Sequence, residues 1–385
     1  MSDQISYPLF KVHMPVDDAT DAVREVLASG FVNEGVQVSK FHVSVSELLG
    51  VDKLVLVNAC TSALTIAYKI AGVGPGTNVV TTAMTCIASN TPIVNLGGEI
   101  VWADVDRYSG CLDPDFLEEK ITPETKCIVS VAWAGTPGNL EAIDAIAKKY
   151  DLIHILDAAH ALGATWNGRP ISDFADFTCY SFQAIKHLSC GDGGALVCRD
   201  EAVFSLAKKL KWFGYDRDAH KDEKGEWKGQ RWSADVLEGE VGFKFNMNNI
   251  SAAIGLSQMP YIKGILDRHR LNAEIYNEAF KGRNDILPVA VPIEATSSHW
   301  VYTAVLLDES INRDRLLEDL NRVGIAAGLV HLPNDLYSAF KSSEADLPGT
   351  RYFSERQISL PCGWWLDEND CKFIATEILS KLDSR

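Results

Sequence analysis

Apolar residues along this chain follow two rhythms, one helical and one strand-like. Residues 17–28 carry them at three- and four-residue intervals behind the acidic pair Asp17 and Asp18, and Ser29-Gly30 follows, so the spacing predicts a helix that stops at the glycine. A second helix is expected over 41–49. From residue 54 onward short apolar runs, at 54–57, 79–82, 100–102, 127–131, 152–156, 177–182 and 195–198, alternate with helical stretches. Strands that alternate with helices imply βαβ units and a mostly parallel sheet covered on both faces. The pattern lapses over 214–240, a polar stretch that still carries Trp227 and Trp232. Two tryptophans are costly to leave in water, so this stretch reads as a flap over an active site or an interface; the alternative is a solvated loop whose tryptophans pack locally. Beyond it a long helix is expected over 249–280, then a strand at 301–306, a helix at 313–323, a second strand at 325–331 and a terminal helix at 368–382. The expected organisation is α/β, with a large domain over 1–250 and a smaller C-terminal domain, entered by the long helix, over 251–385.

Composition narrows the function. The formal charge of −16, from 36 basic and 52 acidic residues, argues against a nucleic-acid surface, which needs a basic footprint. It leaves room for a small anionic ligand, since a pocket can be locally positive inside an acidic protein. The nine cysteines form no CxxC pair and are odd in number, so neither a disulfide framework nor a zinc site is expected, and a reducing cytoplasm fits. The N-terminal residues lack a basic region followed by an apolar run, and no stretch of about 18 apolar residues occurs, so neither export nor a membrane span is expected.

Candidate chemistry centres on Ser181-Phe-Gln-Ala-Ile-Lys-His-Leu-Ser-Cys-Gly-Asp-Gly-Gly, where Lys186 stands between a strand-like run and a glycine-rich turn. A desolvated lysine there can lose its proton near neutral pH and serve Schiff-base chemistry; the alternative is a surface lysine. Upstream, the apolar run 152–156 ends in Asp157, a carboxylate suited to hold a proton on a pyridine nitrogen, or else to cap the next helix. Asn58-Ala-Cys-Thr-Ser-Ala-Leu follows the run 54–57 and opens a helical pattern. Thr61 and Ser62 there can help a helix N-terminus hold a phosphate, or act as plain caps.

Taken together, Gly30-Phe-Val-Asn-Glu-Gly, Cys60-Thr-Ser-Ala-Leu, Asp157-Ala-Ala-His-Ala, the Lys186 segment and Gly242-Phe-Lys-Phe-Asn-Met-Asn-Asn-Ile-Ser-Ala-Ala-Ile-Gly resemble the DegT/DnrJ/EryC1/StrS family of sugar aminotransferases, which depend on pyridoxal 5′-phosphate. The resemblance runs over nearly the whole chain. It implies a fold-type I transferase, with a mostly parallel seven-stranded mixed sheet flanked by helices and a smaller C-terminal α+β domain. It implies Lys186, Asp157 and His160 as catalytic residues, with Thr61, Ser62, Cys86, Ser181 and Asn246 around the cofactor. Many relatives place an aromatic residue where this chain has Cys86, to cover the pyridine ring. Asn246 is implied to reach the phosphate bound by the other subunit of a homodimer, so that active sites lie at the subunit interface. His331, Arg231 and Lys244 are candidates for substrate contacts. The implied reaction carries an amino group from L-glutamate to a keto sugar, most simply a nucleotide-linked keto-deoxyhexose. Alternatives are a free or acidic keto sugar such as a keto-octulosonate or keto-inositol, a sugar dehydratase, or a noncatalytic regulator on the same fold. Family dehydratases carry histidine in place of the lysine, so Lys186 favours the transaminase.

Overall fold

The computed structural model describes residues 6–216, 241–340 and 345–384. Two helices lead the chain, α1 (Val16–Ser29) and α2 (Val36–Leu49). The first ends where the glycine predicts, with Gly30 left-handed at φ 70°. The second starts earlier than the expected 41–49, because its first-turn amides at Gln37 and Val38 donate to Asn249 Oδ1, 3.2 and 3.3 Å away. A cap supplied from 200 residues downstream leaves no local signal.

The central sheet uses β1 (Leu54–Val57), β2 (Asn78–Thr82), β3 (Glu99–Ala103), β4 (Thr125–Val131), β5 (Ile153–Asp157), β8 (Phe177–Ser181) and β9 (Gly194–Cys198), in the order β1-β9-β8-β5-β4-β2-β3. Its pairings are parallel except those of β9, which runs antiparallel to both β1 and β8. The expected mostly parallel, seven-stranded mixed sheet is therefore present. The short strands β6 (Thr165–Trp166), β7 (Arg169–Pro170) and β11 (Ala295–Thr296) make a separate ribbon. Alternation along the strands sends side chains to two cores. Leu54, Leu56, Leu156, Tyr180 and Phe182 pack against Phe41 and Val45 of α2. Val55, Val57, Ile155, Phe177 and Leu196 pack against Ala63, Leu64 and Tyr68 of α3 (Cys60–Ile70). Helices α4 (Ile87–Asn95), α5 (Leu140–Lys149) and α6 (Glu201–Leu210) complete the cover.

The expected helix over 249–280 is two helices, α7 (Asn249–Gln258) and α8 (Ile262–Phe280), joined by a 3-10 turn at Met259–Tyr261. Pro260 lies in that turn; it cannot donate to the ladder and its ring crowds the preceding turn. Ala252, Ile262 and Leu266 pack with the core under α2, whereas Ala273, Tyr276 and Phe280 pack against a three-stranded antiparallel sheet in the order β10-β12-β13. That sheet comprises β10 (Ile286–Pro288), β12 (Tyr302–Leu306) and β13 (Gln357–Leu360), covered by α9 (Arg313–Arg322), α10 (Pro348–Arg356) and α11 (Glu368–Asp383). The strand expected over 325–331 does not form. Tyr302 to Val305 pair with β13, and the 325–331 segment keeps only isolated bridges, Ile325 to Tyr7 and Gly328 to Ser359, before His331 turns left-handed at φ 60°. Most of the 214–240 stretch, including Arg231, Trp227 and Trp232, lies outside the described residues.

Candidate active site

Parallel strands β4, β5 and β8 end side by side, with Val131 opposite Asp157 and Asp157 opposite Cys179. Beyond these C-terminal ends, where ligands gather in open α/β sheets, lies a cavity of about 300 Å³ lined in part by Thr61, Cys86, Asp157, Ser181, Lys186 and His331. A wider depression of about 860 Å³ separates α8 from α11, but none of its ionisable residues is buried. The smaller cavity holds the chemistry.

Its floor is Asp157. The carboxylate is 5% exposed and is held by two donors, Ser89 Oγ at 2.7 Å on Oδ2 and the Ala159 amide at 3.0 Å on Oδ1. Burial pushes its pKa up, and the two hydrogen bonds and Lys186 oppose that shift. Asp157 caps no helix, since a turn follows it.

Lys186 enters on a tight turn in which its amide donates to the Gln183 carbonyl at 2.9 Å, while Gln183 Oε1 accepts from the Ile185 amide at 3.0 Å. The ammonium lies 3.5 Å from the ring centre of Trp300. Desolvation lowers its pKa to about 8, against the opposing pull of Cys86, Asp157 and Cys60. The lysine is therefore poised to present a free amine, as nucleophilic chemistry at a carbonyl requires. The neighbouring His187 is fixed elsewhere, its Nε2 within 3.1 Å of the Ser298 carbonyl.

Trp300 is the principal residue that the sequence did not disclose. Its Nε1 donates to the carbonyl of Ile185, directly before the lysine, at 2.8 Å. Its ring stacks on His160 at 3.9 Å and on Phe10 at 4.7 Å, and His331 continues the stack 5.4 Å beyond His160. Burial holds both histidines neutral, His160 well below the ordinary imidazole range and His331 at about 4. His160 Nδ1 and His331 Nε2 are buried without a hydrogen-bond partner, a state that costs energy unless a ligand or water completes it.

Helix α3 closes another side. Its N-cap Ala59 makes no side-chain cap, so Thr61 and Ser62 are not capping residues; Ser62 Oγ instead donates to Asn58 Oδ1 at 2.7 Å. The amides of Ser62 and Ala63 use the Ala59 carbonyl, while those of Cys60 and Thr61 have no backbone acceptor among the described residues. Gly194 allows the helix to come this close: a Cβ there would stand 2.5 Å from the Cys60 nitrogen. Thr61 and Ser181 line the cavity and Ser62 does not. Cys86 lines it as the residue preceding α4, and is the one cysteine of the nine that is not buried.

Asn246 and Lys244 do not reach this cavity. The Asn246 side chain accepts from Lys244 Nζ and donates to Asn33 Oδ1 at 3.2 Å and to the Met247 carbonyl at 3.1 Å, while Lys244 lies over the Trp212 ring. On the segment around Asn33, Phe31, Val32 and Val36 are exposed. Among the described residues no cluster could hold a metal ion, and no helix is long and apolar enough to cross a membrane.

Pyridoxal phosphate fits this donor set. A lysine with a lowered pKa answers its aldehyde, a buried carboxylate its ring nitrogen, and a helix N-terminus with open amides its phosphate. The sugar aminotransferase CalS13 from Micromonospora echinospora superposes with a TM-score of 0.88 at 32% identity, over 97% of this chain and 99% of that one. PseC from Helicobacter pylori, an aminotransferase involved in the biosynthesis of pseudoaminic acid, matches with 0.86 at 26% identity over 98% and 100%. The PMP form of Spr1654 from Streptococcus pneumoniae, a sugar aminotransferase by description, matches with 0.87 at 26% over 99% and 100%. The model of the DegT/DnrJ/EryC1/StrS aminotransferase family matches residues 15–379. The chain thus belongs to that family and is a pyridoxal-phosphate-dependent aminotransferase.

Proposed function

We propose that this enzyme moves an amino group from L-glutamate to a keto sugar, most simply a nucleotide-linked keto-deoxyhexose, in the making of an amino sugar. The observation that carries this reading is the pairing of a desolvated Lys186 with a buried Asp157 in one cavity. The names of CalS13 and PseC support the sugar acceptor. When bound, the cofactor supplies an aldehyde that takes up amino groups and a ring that withdraws electrons. Lys186 would hold it covalently and, as a free amine, would carry a proton to and from the substrate carbon. Asp157 keeps the proton on the ring nitrogen. Thr61, Ser181 and the first turn of α3 hold the phosphate, and Cys86 covers a ring face. His160, neutral, would stand near the phenolic oxygen of the cofactor ring, and His331, also neutral, would offer a ring nitrogen to hydroxyl or carbonyl groups of the acceptor.

The same reading places the enzyme in the cytoplasm as a homodimer. The exposed apolar residues beside Asn246 support a second copy on that face, from which the partner's Asn246 would reach the phosphate. It also keeps a larger domain over 1–250 and a smaller one over 251–385, with α8 passing between their cores. The test is to convert the enzyme to its aminated cofactor form with L-glutamate, then offer keto sugars singly and follow the return of the starting absorbance. Conversion by L-glutamate with return on a nucleotide keto sugar is expected; return only on an acidic keto sugar would replace the acceptor. Mixing Lys186→Ala and Asn246→Asp chains should restore activity if pockets are shared, and no restoration would refute the shared pocket.

A further inference from the structure

Asn334 is wholly buried, although it opens a single 3-10 turn, Asn334–Leu336, whose last residue is exposed. Every polar group it has toward the sheet is used. Its amide donates to the Ala83 carbonyl at 2.7 Å, its Nδ2 donates to the Thr85 carbonyl at 2.7 Å, and its Oδ1 accepts from Asn90 Nδ2 at 2.9 Å. Asn90, also wholly buried, is fixed in turn, with Oδ1 accepting from Thr81 Oγ1 at 3.0 Å and Nδ2 also donating to the Thr82 carbonyl at 3.2 Å.

This network touches the pocket at two places. Three residues before Asn334 stands His331, left-handed, with its carbonyl taking a hydrogen bond from Gln357 Nε2 at 3.3 Å. The loop bearing the imidazole is thus fastened by Gln357 on one side and Asn334 on the other. In the turn that Asn334 grips, Thr85 Oγ1 lies 2.8 Å from Ser89 Oγ, and Ser89 Oγ donates to Asp157 Oδ2. Because Ser89 spends its proton on the carboxylate, it accepts from Thr85. Between Thr85 and Ser89 lies Cys86.

We propose that Asn334 is a positioning residue for the aminotransferase reaction: one buried amide fastens the His331 loop to the turn that carries Cys86 and supports Asp157 through Ser89. It sets the separation between the pocket wall and floor without touching substrate or cofactor. An asparagine suits the place because the site needs a donor toward Thr85 and an acceptor toward Asn90 from one short side chain. The inference rests on the proposed role of Asp157 and Lys186 at the cofactor.

The test uses Asn334→Asp, which keeps the size and the acceptor but cannot donate to Thr85, and Asn334→Ala as a second lesion. Cys86 is a built-in probe, since the other eight cysteines are buried. Alkylation of the cofactor-free full chain by N-ethylmaleimide at Cys86 should quicken about tenfold in Asn334→Asp, the factor that follows from losing one buried hydrogen bond. The absorbance of bound cofactor should shift in the same variant, and this shift should not add to that of Ser89→Ala, because both act through Asp157. Alkylation at the wild-type rate, or spectral shifts that simply add, would overturn the inference. If Asn334→Asp does not fold, Asn334→Ala and Thr85→Val, which breaks the same chain one link further on, are read the same way. Failure of the wild-type chain to bind pyridoxal phosphate would instead overturn the functional reading, while the alkylation rate would still decide the role of Asn334.

Discussion

The floor of the pocket is laid by Asp157 and Ser181, each at the end of a strand in the central sheet, and by Lys186 on the turn beyond, whereas its roof is assembled from Phe10, Trp300 and His331, none of which lies in a strand or helix. Ladder hydrogen bonds hold the floor; ring stacking and side-chain hydrogen bonds to carbonyls hold the roof. A floor made this way places charge accurately, because the Asp157 carboxylate ends a strand and the Lys186 amine sits on a turn that Gln183 closes with two hydrogen bonds. A roof made by stacking instead excludes water, and that exclusion brings the lysine pKa down to about 8. The two parts divide the work, one supplying chemical groups and the other their medium.

Changes to the floor should cost most. Lys186→Ala is expected to lower turnover by at least about 10³-fold, the scale of a lost proton-transfer group, with melting temperature little changed. Cofactor still trapped on the chain by borohydride would move the attachment site elsewhere. Asp157→Asn should slow turnover by roughly 10²-fold and shift the absorbance of bound cofactor, because an amide cannot hold the ring proton. An unchanged rate would reduce the carboxylate to a turn former bonded to Ala159.

How much of this was legible follows the same division. Asp157 was readable because the apolar run 152–156 ends in it, and Lys186 because it stands between a strand-like run and a glycine-rich turn in a segment that resembles the family's. Trp300 was not, since Ser297-Ser-His-Trp is equally the entry to a buried strand, and only the fold brings it to Ile185, 115 residues away. Ser89 and Asn90 were passed over for a related reason: polar residues on a helix read as solvated, yet both are wholly buried here. The run at 325–331 looked like a strand, but β13, a four-residue segment too short to stand out, takes the place beside β12. Asn246 was matched by motif, and its position outside its own chain's cavity agrees with a role toward a second subunit.

Changes to the roof should cost stability more than chemistry. Trp300→Ala should destabilise the fold by about 3–5 kcal/mol, as large aromatic deletions from cores do, whereas Trp300→Phe keeps a stacked ring and loses the bond to the Ile185 carbonyl and part of the ring volume, about 1–2 kcal/mol. Denaturant unfolding of the cofactor-free protein measures both; equal losses would mean that the indole N–H, not the stack, holds the roof. The smallest effect is on titration. Burial disfavours the ammonium of Lys186, so the free amine dominates above pH 8. Cofactor should therefore attach to the cofactor-free enzyme faster as pH rises through about 8, and then level off. In Trp300→Ala water reaches the amine, and the midpoint should move upward; an unmoved midpoint would separate the lysine's pKa from the roof.

The antiparallel seat of β9 also bears on how the chain assembles. Among the strands of the sheet, β1 is hydrogen-bonded to β9 alone, and Leu54 meets Val197 across some 140 residues of chain. Gly194, in the same strand, is what lets the first turn of α3 settle against the sheet. The earliest strand to leave the ribosome therefore waits for the last, and the anion cradle at Cys60 and Thr61 closes only after residue 198 has been made. Such long-range pairing is slow because loop closure must precede its reward. The order of synthesis is therefore expected to differ from the order of assembly, and under the proposed function the cofactor would meet its phosphate site only once β9 has paired.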